Sequence, residues 1–208
     1  MVKRRLGRLL KWSGLVPMTE QFNMWLDEVR EMLKREVDYD LEAHTTRHFR
    51  AALADDTRFV VPEIVPEVST HNIMCMTFER GIGVNDPAVL ELSQTRRNFI
   101  GRAIMELCCR EVFEWNKMQT DPNFGNYLLR IGETPEQDQI VLLDFGATRH
   151  FSAAFVAGYQ DIVAGAVGSD SGRVIAGAES IGLMSSGFPP DTLDAFVHLC
   201  RTIVEPFM

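Results

Sequence analysis

Apolar residues recur along this chain with two different periods. From Glu20 to Ala54 there is no proline or glycine, and Phe22, Met24, Trp25, Leu26, Val29, Met32 and Leu33 fall near helical spacing, which predicts one or two helices. From Gln94 to Met118 the positions Phe99, Ile100, Ala103, Ile104, Leu107, Val112, Phe113 and Trp115 predict another. The pattern then changes. Asn126–Ile131 and Gln139–Leu143 are apolar runs rich in β-formers, and the turn-like Gly132-Glu133-Thr134-Pro135-Glu136-Gln137-Asp138 between them predicts a hairpin. Helical spacing returns over residues 153–167, 172–183 and 190–204, broken by Gly168–Gly172 and Ser185–Pro189. The sequence contains no internal repeat.

The hairpin organises the polar residues around it. In antiparallel pairing the start of the first strand lies beside the end of the second, so Asn126 is expected next to Asp144, where one divalent ion could bridge them. Asp121 follows the helical segment directly and is expected in a loop. The residues concerned are Gln119-Thr120-Asp121-Pro122-Asn123-Phe124-Gly125-Asn126 and Leu142-Leu143-Asp144-Phe145-Gly146. Phosphoryl transfer needs one carboxylate near the attacking oxygen, together with an Asn and a second Asp that hold magnesium against the phosphates. D-x-x-x-x-N followed by D-F-G supplies all three. Either motif alone is common by chance; their order and the hairpin between them make the combination specific.

A second acidic group precedes them. Asp38 and Glu42 are one turn apart and share a face if the helix is continuous. Glu36 then points about 160–200° away from Asp38, so the three acids cannot serve one ion unless the helix breaks near Val37. A solvated acidic helix face is the plainer reading of this group from the residues alone.

Composition narrows the class. With 208 residues and 46% hydrophobic content, the chain can bury a core as one domain of two unequal lobes. The net charge of −8 argues against general nucleic-acid binding. Five basic residues and no acid precede Glu20, in a basic amphipathic pattern open to three readings: a transit peptide, a helix touching anionic lipid, or an internal helix. No apolar run is long enough to span a bilayer. Cys75, Cys108, Cys109 and Cys200 lack C-x-x-C spacing and sit in apolar runs, which favours buried thiols. His44 and His48 have metal-binding spacing but no evident third ligand, so a solvated pair is expected.

The chain resembles the UbiB-type atypical kinases, also called aarF-domain-containing kinases, which support ubiquinone (coenzyme Q) biosynthesis in bacteria and mitochondria. The residues that carry the resemblance are Glu36-Val37-Asp38-Tyr39-Asp40-Leu41-Glu42-Ala43, Gln119-Thr120-Asp121-Pro122-Asn123 through Asn126, and Leu143-Asp144-Phe145-Gly146-Ala147-Thr148-Arg149. Gln119 is the discriminating detail, since ordinary protein kinases carry H-R-D there and small-molecule phosphotransferases usually H-x-D. The resemblance implies an α+β, protein-kinase-like fold: a partial N-lobe over residues 1–80 and a mostly helical C-lobe over 81–208. It implies ATP and Mg2+ as cofactors, Asp121 as the catalytic-loop acid, and Asn126 and Asp144 as magnesium ligands. Glu42 is similar to the helix-C glutamate that pairs with the nucleotide-binding lysine. Glu36 and Asp38 are similar to the family's E-x-D motif, and Asn72–Glu79 to the strand leading into the hinge. Implied partners are a lipid or ubiquinone-precursor biosynthetic complex, with room for peripheral membrane contact. The implied location is the mitochondrion in a eukaryote, on the matrix side of the inner membrane, and the cytoplasm or inner membrane in a bacterium.

One departure matters. The lysines are Lys3, Lys11, Lys34 and Lys117, none on an N-lobe strand before Glu36, and no K-x-G-Q is present. The expectation is therefore a fragment truncated at both ends, with helix C, the hinge and much of the C-lobe, and inactive alone. A pseudokinase scaffold for a lipid-biosynthetic complex is one alternative. An aminoglycoside- or choline-kinase-like phosphotransferase is another, and Gln119 and the Glu36/Asp38 motif weigh against it.

Overall fold

The computed structural model describes residues 24–27, 29–30, 38–185 and 187–205, so the basic N-terminal segment, Lys34 and Glu36 lie outside the described residues. From Tyr39 onward the elements are α1 (Tyr39–Ala52), β1 (Phe59–Val60), β2 (Ile82–Gly83), α2 (Pro87–Leu90), α3 (Gln94–Phe113), β3 (Lys117–Gln119), β4 (Tyr127–Arg130), β5 (Gln139–Leu142), β6 (Thr148–His150), α4 (Ala153–Val167), α5 (Ser171–Ser180) and α6 (Pro190–Val204). They form two compact units. One contains the residues up to Arg80 together with Val141–Ala147; the other contains Gly81–Ile140 and the chain from Thr148 onward.

In the first unit α1 begins later than a continuous acidic helix would. Asp38 is its N-cap, with φ −95° and ψ 83°, and its carboxylate accepts the Leu41 N–H at 3.1 Å. A short carboxylate satisfies one of the four orphan donors at a helix start, which stops the helix there. The one-turn pairing of Asp38 with Glu42 on a shared helical face is thereby corrected: Asp38 caps, and Glu42 lies inside the helix. Buried Thr45 and Thr46 return their hydroxyls to the Leu41 and Glu42 carbonyls at 3.0 and 2.8 Å, so their polar atoms are paired. Phe49 is fully buried and packs on Phe145, with ring centroids 4.7 Å apart. Residues 72–79 run extended without forming a continuous strand: Ile64 bridges Met76, the Val65 N–H donates to the Cys75 carbonyl at 2.9 Å, and the Thr77 N–H donates to the Glu63 carbonyl at 2.8 Å.

Of the hairpin that the two β-forming runs predicted, the second unit contains β4 and the first half of β5, with β4 lying between β5 and β2 in the strand order. Strand β2 pairs antiparallel with β4, Ile82 opposite Leu129 and Gly83 opposite Leu128. The turn residue Asp138 is buried, and both its oxygens are used: Arg96 Nε donates to Oδ2 and Nη2 to Oδ1, each at 2.6 Å, while the Gly132 N–H donates to Oδ1 at 2.9 Å. Burial works against the charge on Asp138, but the Arg96 and Gly132 bonds outweigh it and hold the carboxyl below its ordinary value. The stability this contributes is present above the ordinary carboxylate range and is lost as pH falls through the lowered value. Asp138→Asn is expected to cost about 2–3 kcal/mol at pH 7, because the carboxylate charge is lost and an NH2 donor replaces one of the two oxygens that accept from Arg96 and Gly132. Urea denaturation at pH 7 and pH 3 checks this; the gap between wild type and variant should be smaller at the lower pH.

The long helical segment ends sooner than its apolar spacing predicts. Helix α3 stops at Phe113, the N–H groups of Glu114 and Trp115 both return to the Arg110 carbonyl, and Asn116 takes a left-handed φ of 51°. Asparagine tolerates that region better than most residues, so the chain turns there and resumes as β3. Asp121 accordingly follows a short strand instead of a helix. Strand β3 pairs antiparallel with β6, Lys117 opposite His150 and Gln119 opposite Thr148. Behind them α4, α5 and α6 enclose a core of Ile162, Ala166, Val174, Ala178, Val197, Cys200 and Val204. None of the helices among the described residues is long and apolar enough to cross a membrane.

Candidate functional site

The expected site residues are divided between the units, and each group has its own local cause. In the first unit, two residues after β5, the Asp144 carboxylate accepts the Gly146 N–H at 2.8 Å, closing a tight turn around Phe145. Phe145 is buried against Phe49 of α1, and this packing brings the turn beside Glu42, about two helical turns earlier on α1. A Cβ placed on Gly146 would stand 3.3 Å from Asp144 Oδ1 and 3.5 Å from Glu42 Oε2. Glycine thus leaves the two carboxylates facing a common space. Burial first, and the Asp144 charge second, hold the Glu42 carboxyl above its ordinary value. Two acids so placed favour a cation between them.

Asp38 is not part of that pair. Its carboxylate lies with Asp40 and His71, whose ligand atoms all fall within 4.8 Å of one another at the exposed start of α1. The Asp40 hydrogen bond to His71 Nδ1, at 2.8 Å, raises the imidazole above its ordinary value. His44 and His48 are exposed and belong to no ligand cluster among the described residues.

In the second unit, Asp121 lies exposed in the loop after β3, and its N–H donates to Gln119 Oε1 at 3.4 Å. The loop then closes through Asn123, whose side chain accepts the Gly125 N–H at 2.9 Å and whose carbonyl accepts the Asn126 N–H at the same distance. Asn126 Nδ2 is buried without a hydrogen-bond partner. A buried amide with one unpaired end is costly, and rotating the carboxamide presents its oxygen there instead. An amide oxygen presented there suits a hard cation such as magnesium. Asn126 therefore fits the ligand role expected of it, as Asp144 does by its charge and its neighbour Glu42.

Reading the sequence overlooked Glu111. Buried residues on α3 are Ile100, Ala103, Leu107 and Glu111, a single stripe that reaches a carboxylate where the next apolar side chain belongs. A charged residue in register with an apolar stripe was the available signal. Glu111 Oε2 accepts the Gln119 N–H at 3.1 Å. Burial pushes the carboxyl up to about 7, and the Gln119 bond opposes only part of that rise. Stability from this group is complete below the ordinary Glu range and is lost as pH rises through about 7, so ionising Glu111 costs stability. Tyr127, which faces it from β4, is pushed up to about 12 by burial and by the charges of Glu111, Cys108 and Asp121.

Comparison with known proteins places the chain among relatives. The profile of the ABC1 atypical kinase-like domain matches residues 4–177. The Saccharomyces cerevisiae protein "Atypical kinase COQ8, mitochondrial" is 36% identical over 199 residues, covering 96% of this chain and 38% of that protein. "Atypical kinase COQ8B, mitochondrial" of Rattus norvegicus is 34% identical, covering 98% of this chain and 38% of its own length. "Atypical kinase coq-8, mitochondrial" of Caenorhabditis elegans is 33% identical, with coverages of 86% and 24%. The chain thus spans between about a quarter and two fifths of the length of these relatives. Among solved structures, Rv3197 of Mycobacterium tuberculosis, determined in complex with erythromycin, superposes with a TM-score of 0.72 at 22% identity, over 98% of this chain and 50% of that one. The α+β fold is kinase-like, and the chain belongs to the ABC1 atypical kinase-like family.

Proposed function

We propose that this chain carries the magnesium and nucleotide-phosphate side of an ATP-dependent kinase or ATPase of the UbiB type that supports ubiquinone biosynthesis, in the mitochondrion if the source is eukaryotic. Asp121 orients the attacking hydroxyl or water. Asn126 and Asp144 are each residues that would hold magnesium, which would supply neutralisation of phosphate charge. Glu42 takes the role of a helix-C glutamate, and Lys117 in β3 is the only lysine among the described residues. Lipid-biosynthetic proteins are the partners this reading implies.

The observation that carries the proposal is the Glu42–Asp144 pair around Gly146, two carboxylates held together by Phe145 packing, in a chain whose other expected ligand, Asn126, has an unpaired buried amide. Such a pair costs stability unless a cation joins it. Thermal unfolding with and without Mg-ATP tests it. Ligand at a hundred times its Kd stabilises by about 2.7 kcal/mol, a shift of several degrees in a domain of this size. Magnesium or ATP alone should do less. A midpoint that does not respond to the combination would instead favour a non-catalytic scaffold, the reading suggested by the missing nucleotide-binding lysine.

A further inference from the structure

We propose that Glu111 is a positioning residue for the loop that carries Asp121, acting through Gln119. The proposal rests on Asp121 being the loop acid, but its geometry is independent of nucleotide. Glu111 Oε2 accepts the Gln119 N–H at 3.1 Å, and Gln119 Oε1 accepts the Asp121 N–H at 3.4 Å, the longer and weaker of the two contacts. A side chain on α3 thus reaches the Asp121 backbone in two steps, through a residue that is itself buried.

The placement of Glu111 is otherwise hard to account for. It continues the stripe Ile100, Ala103, Leu107, where leucine would bury apolar surface at no cost in desolvation. The titratable groups facing it are Cys108, from its own helix, and Tyr127, from β4. Both are held above their ordinary values and so are neutral at pH 7. Asp121 adds a further negative charge on Tyr127. No ion pair neutralises Glu111 among the described residues; its one opposing influence is the Gln119 N–H. A carboxylate is kept there as an acceptor for the end of β3. Gln119 in turn makes both contacts: its backbone N–H, which any residue but proline would offer, donates to Glu111, and its side-chain carbonyl accepts from Asp121.

Residue-resolved amide hydrogen exchange in the protein without nucleotide tests this, comparing wild type, Glu111→Ala and Glu111→Gln. Glu111→Ala removes the acceptor, and protection at Gln119 and Asp121 should fall by about tenfold or more while α4 to α6 keep theirs. Glu111→Gln retains a carbonyl at the same reach and should restore protection at both amides. Wild-type protection at Gln119, corrected for intrinsic exchange, should fall as pH is raised through about 7, where the buried carboxyl ionises and an opening that rehydrates it becomes easier. In Glu111→Gln it should be flat with pH. Wild-type protection at both amides in Glu111→Ala overturns the proposal. So does loss of protection spread evenly over the second unit, or a Gln119 profile that keeps its pH dependence in Glu111→Gln. Absence of a Mg-ATP response overturns the functional reading instead, and is seen in a different measurement.

Discussion

Asp144→Asn leaves the protein folded and abolishes its response to Mg-ATP. The substitution keeps the size of the side chain and an oxygen that can accept the Gly146 N–H, so the turn around Phe145 survives. It removes the negative charge that the proposed magnesium ligand supplies. A carboxamide is a far weaker ligand than a carboxylate for a hard divalent ion, and a loss of at least about a hundredfold in Mg-dependent nucleotide affinity is expected. The effect on the unliganded protein has the opposite sign. Glu42 is held above its ordinary value first by burial and then by the Asp144 charge. A carboxyl raised in the folded state contributes stability below the ordinary Glu range and loses it as pH rises through the raised value. Deleting the neighbouring charge reduces that loss, and after solvent screening the unliganded variant gains about 0.5 kcal/mol at pH 7, a rise of roughly 1–2 °C in midpoint. Thermal melts at pH 7 with and without Mg-ATP read both effects together. An unliganded variant that melts several degrees below wild type, or one that retains the wild-type Mg-ATP shift, would contradict the assignment.

The opposing signs arise from Glu42 and Asp144 being neighbours, and only part of that adjacency was legible in the sequence. The hairpin was: two runs of β-formers around a Gly- and Pro-bearing turn dictate β4 and β5 locally, and with them the placement of Asn126 before one strand and Asp144 after the other. The helical stretches from Ala153 to Val204 were also legible, because their period persists over many residues. Contacts that depend on a distant partner were not. Phe145 reads as the middle of D-F-G; nothing in its neighbourhood announces that Phe49 of α1 will stack on it and so set Glu42 beside Asp144. Asp38 reads as sharing a helix face with Glu42, and the backbone instead makes it the N-cap. At the end of α3, apolar spacing runs on past Phe113, but Asn116 adopts a conformation that spacing does not encode. Asp138 looked like one more turn residue, whereas its carboxylate is the buried partner of Arg96, more than forty positions earlier.

The glycines of α4 and α5 lead to the largest structural prediction. Glycine inside a helix costs about 1 kcal/mol relative to alanine, so Gly158 and Gly165 in α4 and Gly177 in α5 weaken both helices locally. What they permit is backbone contact. A Cβ on Gly177 would lie 2.6 Å from the Gly158 carbonyl oxygen and 2.9 Å from the Ile162 nitrogen, and one on Gly165 would lie 2.8 Å from the Val174 nitrogen. These obstacles are backbone atoms of a facing helix, so rotamer changes cannot relieve them; the helices must separate and open the core around Ile162, Val174 and Ala178. Gly177→Val is expected to cost about 4–5 kcal/mol, near the upper end of single-substitution effects, and to lower the midpoint by roughly 10–15 °C. Gly101 offers the control. It lies inside α3, where an added Cβ meets nothing within 4 Å. There Gly101→Ala should gain about 0.5–1 kcal/mol from helix propensity alone, whereas Gly177→Ala should lose stability despite the same gain in propensity. Urea denaturation of the two alanine variants under identical conditions decides the matter: opposite signs mean that α4 and α5 touch through their backbones, and equal gains would mean that they do not.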